Sequence, residues 1–192
     1  MGRVIIDITM SVDGFVTGPN DGPDNGLGDG GRILHDWVFK GTDADKPFLM
    51  GEGYDIGAGI LGRRTFDIAN EAWGDNPPMQ GTVFVLTHRP HETVQRGAAT
   101  FVFITDGAEA ALALARDEAA GKDIMLMGAD VSQQYLHMGE VDFMTLHVAN
   151  VLLGEGRPLF AHIGNDPIKL ECVHCVPTPS ATHMQYSIVK SI

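Results

Sequence analysis

The stretch Gly57-Ala58-Gly59-Ile60-Leu61-Gly62-Arg63-Arg64-Thr65 spells G-x-G-x-x-G and then runs into two arginines. In a Rossmann unit such glycines follow the first strand and open a helix. Here they straddle a short apolar strand, Ala58 to Leu61, and a helix begins only at Arg64 or Thr65, running toward Asn70. The Rossmann reading fails on that context. What survives is a strand end feeding a helix N-terminus beside two guanidinium groups. Unpaired backbone N–H groups, the helix dipole and arginine donors together favour a phosphate there. The plainer reading is a solvated arginine pair on a surface helix.

Working outward, two further turns have related form. Thr87-His88-Arg89 follows the apolar strand Val83 to Leu86 and offers a hydroxyl and two cationic side chains to a second phosphate or its ribose. Met127-Gly128-Ala129-Asp130 ends the strand Ile124 to Met127 and opens another helix. Its small residues let the backbone approach a pyrophosphate at the helix N-terminus. Asp130 would repel phosphate, or it turns its carboxylate onto backbone N–H groups as a helix cap. Loops past strand C-terminal ends are the usual ligand side of an open α/β sheet.

The remaining elements complete an α/β pattern. Arg3 to Met10 is rich in β-branched residues and reads as a buried strand, ended by the turn Ser11-Val12-Asp13-Gly14. The glycine-rich loop Thr17 to Gly31 reads as a solvated lid, since its aspartates do not have calcium-loop spacing. A helix is expected from about Thr42 to Tyr54, and a strand at Phe101 to Thr105. Asp106, with Glu109 three residues on, predicts a capping box for a helix that runs to Ala120 and stops at Gly121. The helix after Gly128 runs to about Met138. Asp142 to Val151, Ile168 to Cys175 and Thr182 to Val189 are strands. The expected fold is a mixed, mostly parallel sheet of about eight strands flanked by helices, with an antiparallel C-terminal edge, in a single domain over residues 1–192.

Charge and composition narrow the partners. The net charge of −12 argues against nucleic acid and anionic membranes, which demand a cationic face. Arg63-Arg64 and His88-Arg89 can still reverse the field locally for one phosphate pocket. The apolar runs are too short to span a bilayer, and the N-terminal stretch lacks a small-residue cleavage site, so a cytoplasmic home is expected. Cys172 and Cys175 flank His174, with His183 nearby, which raises zinc or redox chemistry. A zinc site usually needs a second such pair, and a three-residue separation on a strand points the thiols to opposite faces. Reduced structural thiols and no metal are the expectation.

Taken in order, Ser11 to Phe15, Leu61 to Phe66, Val83 to Arg89, Ile124 to Asp130 and Gly154 to Phe160 resemble the dihydrofolate reductase-like superfamily. The resemblance is greatest to the branch containing the reductase domain of bacterial riboflavin synthesis. It implies a homodimer and NADPH as hydride donor. By position, Gly62, Arg63, Arg64 and Thr65 would meet the adenosine phosphates, and Thr87, His88 and Arg89 the 2′-phosphate. Gly128, Ala129, Asp130 and Val131 would lie beneath the pyrophosphate, although the family's paired glycine is Gly128-Ala129 here. Ile8, Thr9, Val16 and Thr17 would line the nicotinamide end. Folate reductases carry an acid on the helix after the lid. Asp36, Asp43 and Asp45 are candidates, with Asp36 taken as the catalytic acid and His35 and Trp37 as the substrate side. The expected function is NADPH-dependent reduction of a small heterocycle of the pterin or ribityl-aminopyrimidine type. The alternative is a non-catalytic or regulatory nucleotide-binding module on the same fold.

Overall fold

The computed structural model describes residues 2–51 and 53–190. In chain order the elements are β1 (Val4–Ser11), β2 (Phe15–Thr17), α1 (Asp36–Lys40), β3 (Ile56–Gly62), α2 (Arg63–Trp73), β4 (Gly81–Leu86), β5 (Val94–Arg96), β6 (Ala99–Ile104) and α3 (Ala108–Ala119). They continue with β7 (Asp123–Met127), α4 (Ala129–His137), β8 (Phe143–Ala149), β9 (Arg157–Pro158), β10 (Leu170–Pro177) and β11 (Ala181–Ile188). Nine strands form one sheet in the order β10-β11-β8-β1-β7-β3-β4-β6-β5, and β2 pairs with β9. The six strands from β8 to β6 are parallel, while β10, β11 and β5 are antiparallel to their neighbours.

Parallel strands covered on both faces read as unbroken apolar runs, and β1 shows why: Val4, Ile5 and Ile6 have no exposed surface. On one face, Leu112 and Ala115 of α3 and Tyr135 of α4 pack on Ile6, Ile60 and Leu126. On the other, Phe66 of α2 packs on Leu61, Val85 and Phe101. The G-x-G-x-x-G glycines lie along β3 and serve packing. A Cβ on Gly57 would stand 2.7 Å from the Ala119 Cα, so α3 rests on the bare backbone of β3.

The structure departs from the sequence reading in four places. In place of a helix over Thr42 to Tyr54, a 3₁₀ turn spans Lys46–Gly51, and α1 precedes it. The Asp45 carboxylate accepts the Thr42 N–H (2.6 Å) and hydroxyl (2.8 Å), a local closure that competes with helix formation, and Pro47 removes a donor. Asp106 does not cap α3; Gly107, at φ 96°, takes that position with no side-chain bond. The thiols of Cys172 and Cys175 share one face of β10. A bulge between Cys172 and His174 adds a residue, so the cysteines oppose Tyr186 and Met184, two positions apart on β11. β5 is a ninth sheet strand beyond the eight expected. Among the described residues, no helix is long and apolar enough to cross a membrane.

Candidate active site

A cavity of about 1230 Å³ runs along the C-terminal ends of the parallel strands. Its lining follows the strand order: Ile8 and Thr9 of β1, Met127 to Val131 after β7, Gly62 to Thr65 after β3, Thr87 to Arg89 after β4. Val16, Thr17, His35 and Trp37 complete the β1 end. The fold thus brings together every cofactor and substrate residue named from the resemblance, while of the three candidate acids neither Asp43 nor Asp45 lines the cavity, and nor does Asp36. That carboxylate pairs with Lys40 Nζ at 2.9 Å, is 41% exposed, and does not line the cavity.

One half is suited to phosphates. The N-termini of α2 and α4 open into the cavity side by side. At Gly128 (φ 93°), a Cβ would stand 2.3 Å from Thr65 Oγ1, so only glycine permits this approach. Arg63 Nε donates to Asp67 (2.7 Å) and Arg89 Nη2 reaches the same carboxylate (3.2 Å). Arg64 Nη2 pairs with Asp21 of the glycine-rich loop at 2.8 Å, and Arg157 pairs with Asp130 at 3.1 Å. Asp130 is therefore neutralised by an arginine rather than capping α4, whose cap position, Gly128, has no side-chain bond. Thr87 Oγ1 accepts the Arg89 N–H at 3.0 Å, which shapes the turn and leaves His88 and Arg89 exposed.

The other half holds a string of titratable side chains. Asp7 and His147 line the cavity, and His147 Nε2 lies 2.9 Å from Asp7 Oδ1. His147 Nδ1 meets His183 Nδ1 at 2.7 Å, and His183 Nε2 meets Asp45 Oδ1 at 3.0 Å. Trp37 covers the string, 4.4 Å from the His147 ring, and donates Nε1–H to Thr9 Oγ1 at 3.1 Å; Phe48 stacks on His183 at 4.2 Å. Burial alone would raise Asp45, but bonds from His183, Thr178 and Thr42 outweigh it and bring it to about 2. Burial holds His183 below the ordinary histidine value despite the pull of Asp45. His35 is also lowered, by burial first and then by His147.

Asp7, His147, Asp21 and Arg157 escaped the sequence reading, which named His183 only beside a possible metal site and Asp45 only as one of three candidate acids. Asp7 and His147 had one available signal, each being the lone ionisable residue of a largely apolar strand. Two buried atoms beside the cavity, Thr17 Oγ1 and His35 Nδ1, have no partner among the described residues. With the close Gly128 turn and the exposed side chains of His88 and Arg89, these unpartnered polar atoms suit a phosphorylated dinucleotide ending in a polar ring. Among the described residues no three His, Cys, Asp or Glu side chains converge to hold a metal.

The profile of the RibD C-terminal domain family matches residues 3–184. The chain belongs to that family. An uncharacterized protein of Bacillus subtilis, YyaP, is 27% identical over 177 residues, covering 84% of this chain and 81% of its own. The RibD C-terminal domain described here also superposes on a solved diaminohydroxyphosphoribosylaminopyrimidine deaminase/5-amino-6-(5-phosphoribosylamino)uracil reductase of Thermotoga maritima. The TM-score is 0.68 at 14% identity, over 98% of this chain and 57% of that one. Dihydrofolate reductase of Enterococcus faecalis, solved with NADP(H), gives a TM-score of 0.59 at 18% identity over 97% of each chain. At these identities the likeness is one of fold, and that fold is of the reductase type.

Proposed function

We propose that this RibD C-terminal domain is an NADPH-dependent reductase of a small planar heterocycle, of the pterin or ribityl-aminopyrimidine type, working as a cytoplasmic homodimer. One observation carries the reading. A single cavity joins two helix N-termini and their arginines to a buried acid–base string under Trp37. Phosphate binding and proton supply at opposite ends of one cleft are what hydride transfer to a ring requires. The uracil reductase named in the Thermotoga protein supports the aminopyrimidine class, and the dinucleotide bound by the Enterococcus protein supports the cofactor.

Bound in this cleft, NADPH supplies the hydride. The chain's own residues do the rest. Gly62 to Thr65 and Gly128 to Val131 would hold the pyrophosphate on two helix N-termini. Thr87, His88 and Arg89 would take the 2′-phosphate, with arginine favouring that group over a bare ribose hydroxyl. Ile8, Thr9, Val16 and Thr17 would orient the nicotinamide, while His35 and Trp37 would exclude water above the substrate.

Calorimetric titration with NADPH and NADH tests the reading. NADPH binds more tightly, and Arg89→Ala or Arg64→Ala weakens it about tenfold, the loss of one charge-assisted bond. Failure to bind either nucleotide overturns the assignment. NADPH binding with no oxidation across a panel of pterins and aminopyrimidines would leave a nucleotide-binding module. Light scattering at twice 20.6 kDa supports the dimer, and a monomer mass refutes it.

A further inference from the structure

Hydrogen-bond bookkeeping along the buried string gives more than a position. Three contacts link four groups in line: Asp7 to His147, His147 to His183, His183 to Asp45. Each needs one proton between its heavy atoms. Two ionised carboxylates and two neutral imidazoles supply only two protons. In the usual arrangement both would sit on Nε2 facing the carboxylates, leaving two Nδ1 lone pairs opposed at 2.7 Å, a repulsive contact. The string is satisfied only with a third proton.

Burial points to the end that holds that proton, since His183 has no exposed surface whereas Asp7 reaches the cavity. Asp45 is 1% exposed and accepts the Thr42 N–H and hydroxyl through Oδ2, so it is a carboxylate that His183 Nε2–H must donate to through Oδ1. A neutral His183, which its burial favours, then offers Nδ1 as an acceptor. His147 must therefore donate from Nδ1, and its Nε2 and Asp7 Oδ1 share the extra proton. That pair is the part of the string that lines the cavity, where the Asp7 side chain keeps 14% of its surface exposed. The other titratable groups facing the string are His35, beside His147, and Tyr54, whose hydroxyl bonds Thr145 on β8 and whose ring lies under Arg3. His174 of β10 stacks on the far side of Phe48. None of these takes a place in the line.

We propose that Asp7 and His147 together are the proton donor of this cleft, with His183 and Asp45 as positioning residues that fix the His147 tautomer. The proposal rests on the reductase reading and names its substrate bond. The substrate class is a planar ring with a C=N bond whose nitrogen reaches Asp7. As the ring carbon gains hydride, a C–H bond forms and the C=N π pair moves onto nitrogen. That nitrogen takes the proton shared by Asp7 and His147, leaving an aspartate and a neutral imidazole protonated at Nδ1. The two electrons come with the hydride, and the reduced nicotinamide is oxidised. The string regains its proton from water once product leaves the cleft. An acid at this place makes the sequence candidate Asp36 unnecessary.

Nitrogen NMR of the histidine side chains in the free full-length chain tests the proton inventory without any ligand. Among the eight histidines, the two signals are assigned by loss in His147→Gln and His183→Gln. His183 should be the neutral Nε2–H tautomer, and His147 should be protonated at Nδ1. In Asp7→Asn the His147 Nε2 should be unprotonated while Nδ1 keeps its proton. A neutral His147 protonated only at Nε2 would overturn the proposal, whatever the cleft binds. In turnover with a dihydropterin as probe, Asp7→Asn should lower kcat at least about 100-fold, the usual scale for a general acid, with NADPH affinity within twofold of the parent chain. Asp45→Asn should move the pH profile of kcat, an effect that merely loosened packing would not give. Wild-type turnover by Asp7→Asn would also overturn the proposal. Absence of NADPH binding to the parent chain would instead sink the reductase reading, and the tautomer measurement alone would then decide the proton inventory.

Discussion

Gly128→Ala is the substitution that bears most directly on how the cleft is built. Gly128 sits at φ 93° and ψ 149°, a region that side-chain-bearing residues avoid. Occupying it costs about 1–3 kcal/mol. The added methyl would also stand 2.3 Å from Thr65 Oγ1, and Thr65 opens α2, so its side chain must leave its rotamer at about 0.5–1.5 kcal/mol. The sum is about 1.5–4.5 kcal/mol. For a domain of this size each kcal/mol lowers Tm by about 2–4 °C, so calorimetric melting should shift down by roughly 3–18 °C. The steric share can be separated from the backbone share by placing Gly128→Ala in a Thr65→Ala background, where the cost should fall by about 1 kcal/mol and NADPH affinity should partly recover. An unchanged Tm, or an equal cost in both backgrounds, would show that the two helix N-termini do not meet as described.

Three further outcomes are expected. Asp45→Asn should cost about 1–3 kcal/mol at pH 7 in denaturant melts, because a buried acceptor of several bonds loses its charge. Since the folded-state value of Asp45 is depressed from 3.8 to about 2, its contribution is present above that ordinary value and lost as pH falls toward 2. The parent chain should thus lose stability between about pH 4 and pH 2 more steeply than the variant, and parallel curves would refute the sign. Asp21→Ala should tighten NADPH binding about two- to fivefold, because Arg64 and Arg157 lose a competing carboxylate worth roughly 0.2–1 kcal/mol; weaker binding would show instead that the loop carboxylate helps form the site. Asp36→Asn should change stability by no more than about 0.5 kcal/mol and leave the pH profile of turnover alone, because its one partner among the described residues is Lys40 at the surface; a lost acid limb would restore it as the proton donor.

The sheet was legible in the sequence because parallel strands buried on both faces are apolar throughout. Val4 to Ile6, Val83 to Val85 and Ile124 to Leu126 announce themselves. β5 was not, since three residues, Val94 to Arg96, carry no pattern. The turns that line one half of the cleft could be located because each is local, a strand end followed within a few residues by glycine or arginine. The acid–base half could not. Asp7 and His147 lie 140 residues apart, as neighbours on adjacent parallel strands, and Asp45 reaches His183 across 138 residues. No local spacing encodes such a contact. The same reason hid the shared face of Cys172 and Cys175, because a bulge is visible only once the partner strand is known.

The place of β1 has a consequence for how the chain acquires its structure. β1, the first strand of the sequence, lies between β7 and β8, in register with Ile124 and Phe143. Arg3 is fastened to Asp123, and the Val4 N–H to Asp142. The apolar run Val4 to Ile6 therefore has no strand partner until β7, about two thirds along the sequence, and gains its second at β8, about three quarters along; closing such long loops comes before the reward of pairing. Refolding should be slow for a domain of this size. Until β8 is available, the nascent chain presents to chaperones the very segment that later forms the centre of its sheet.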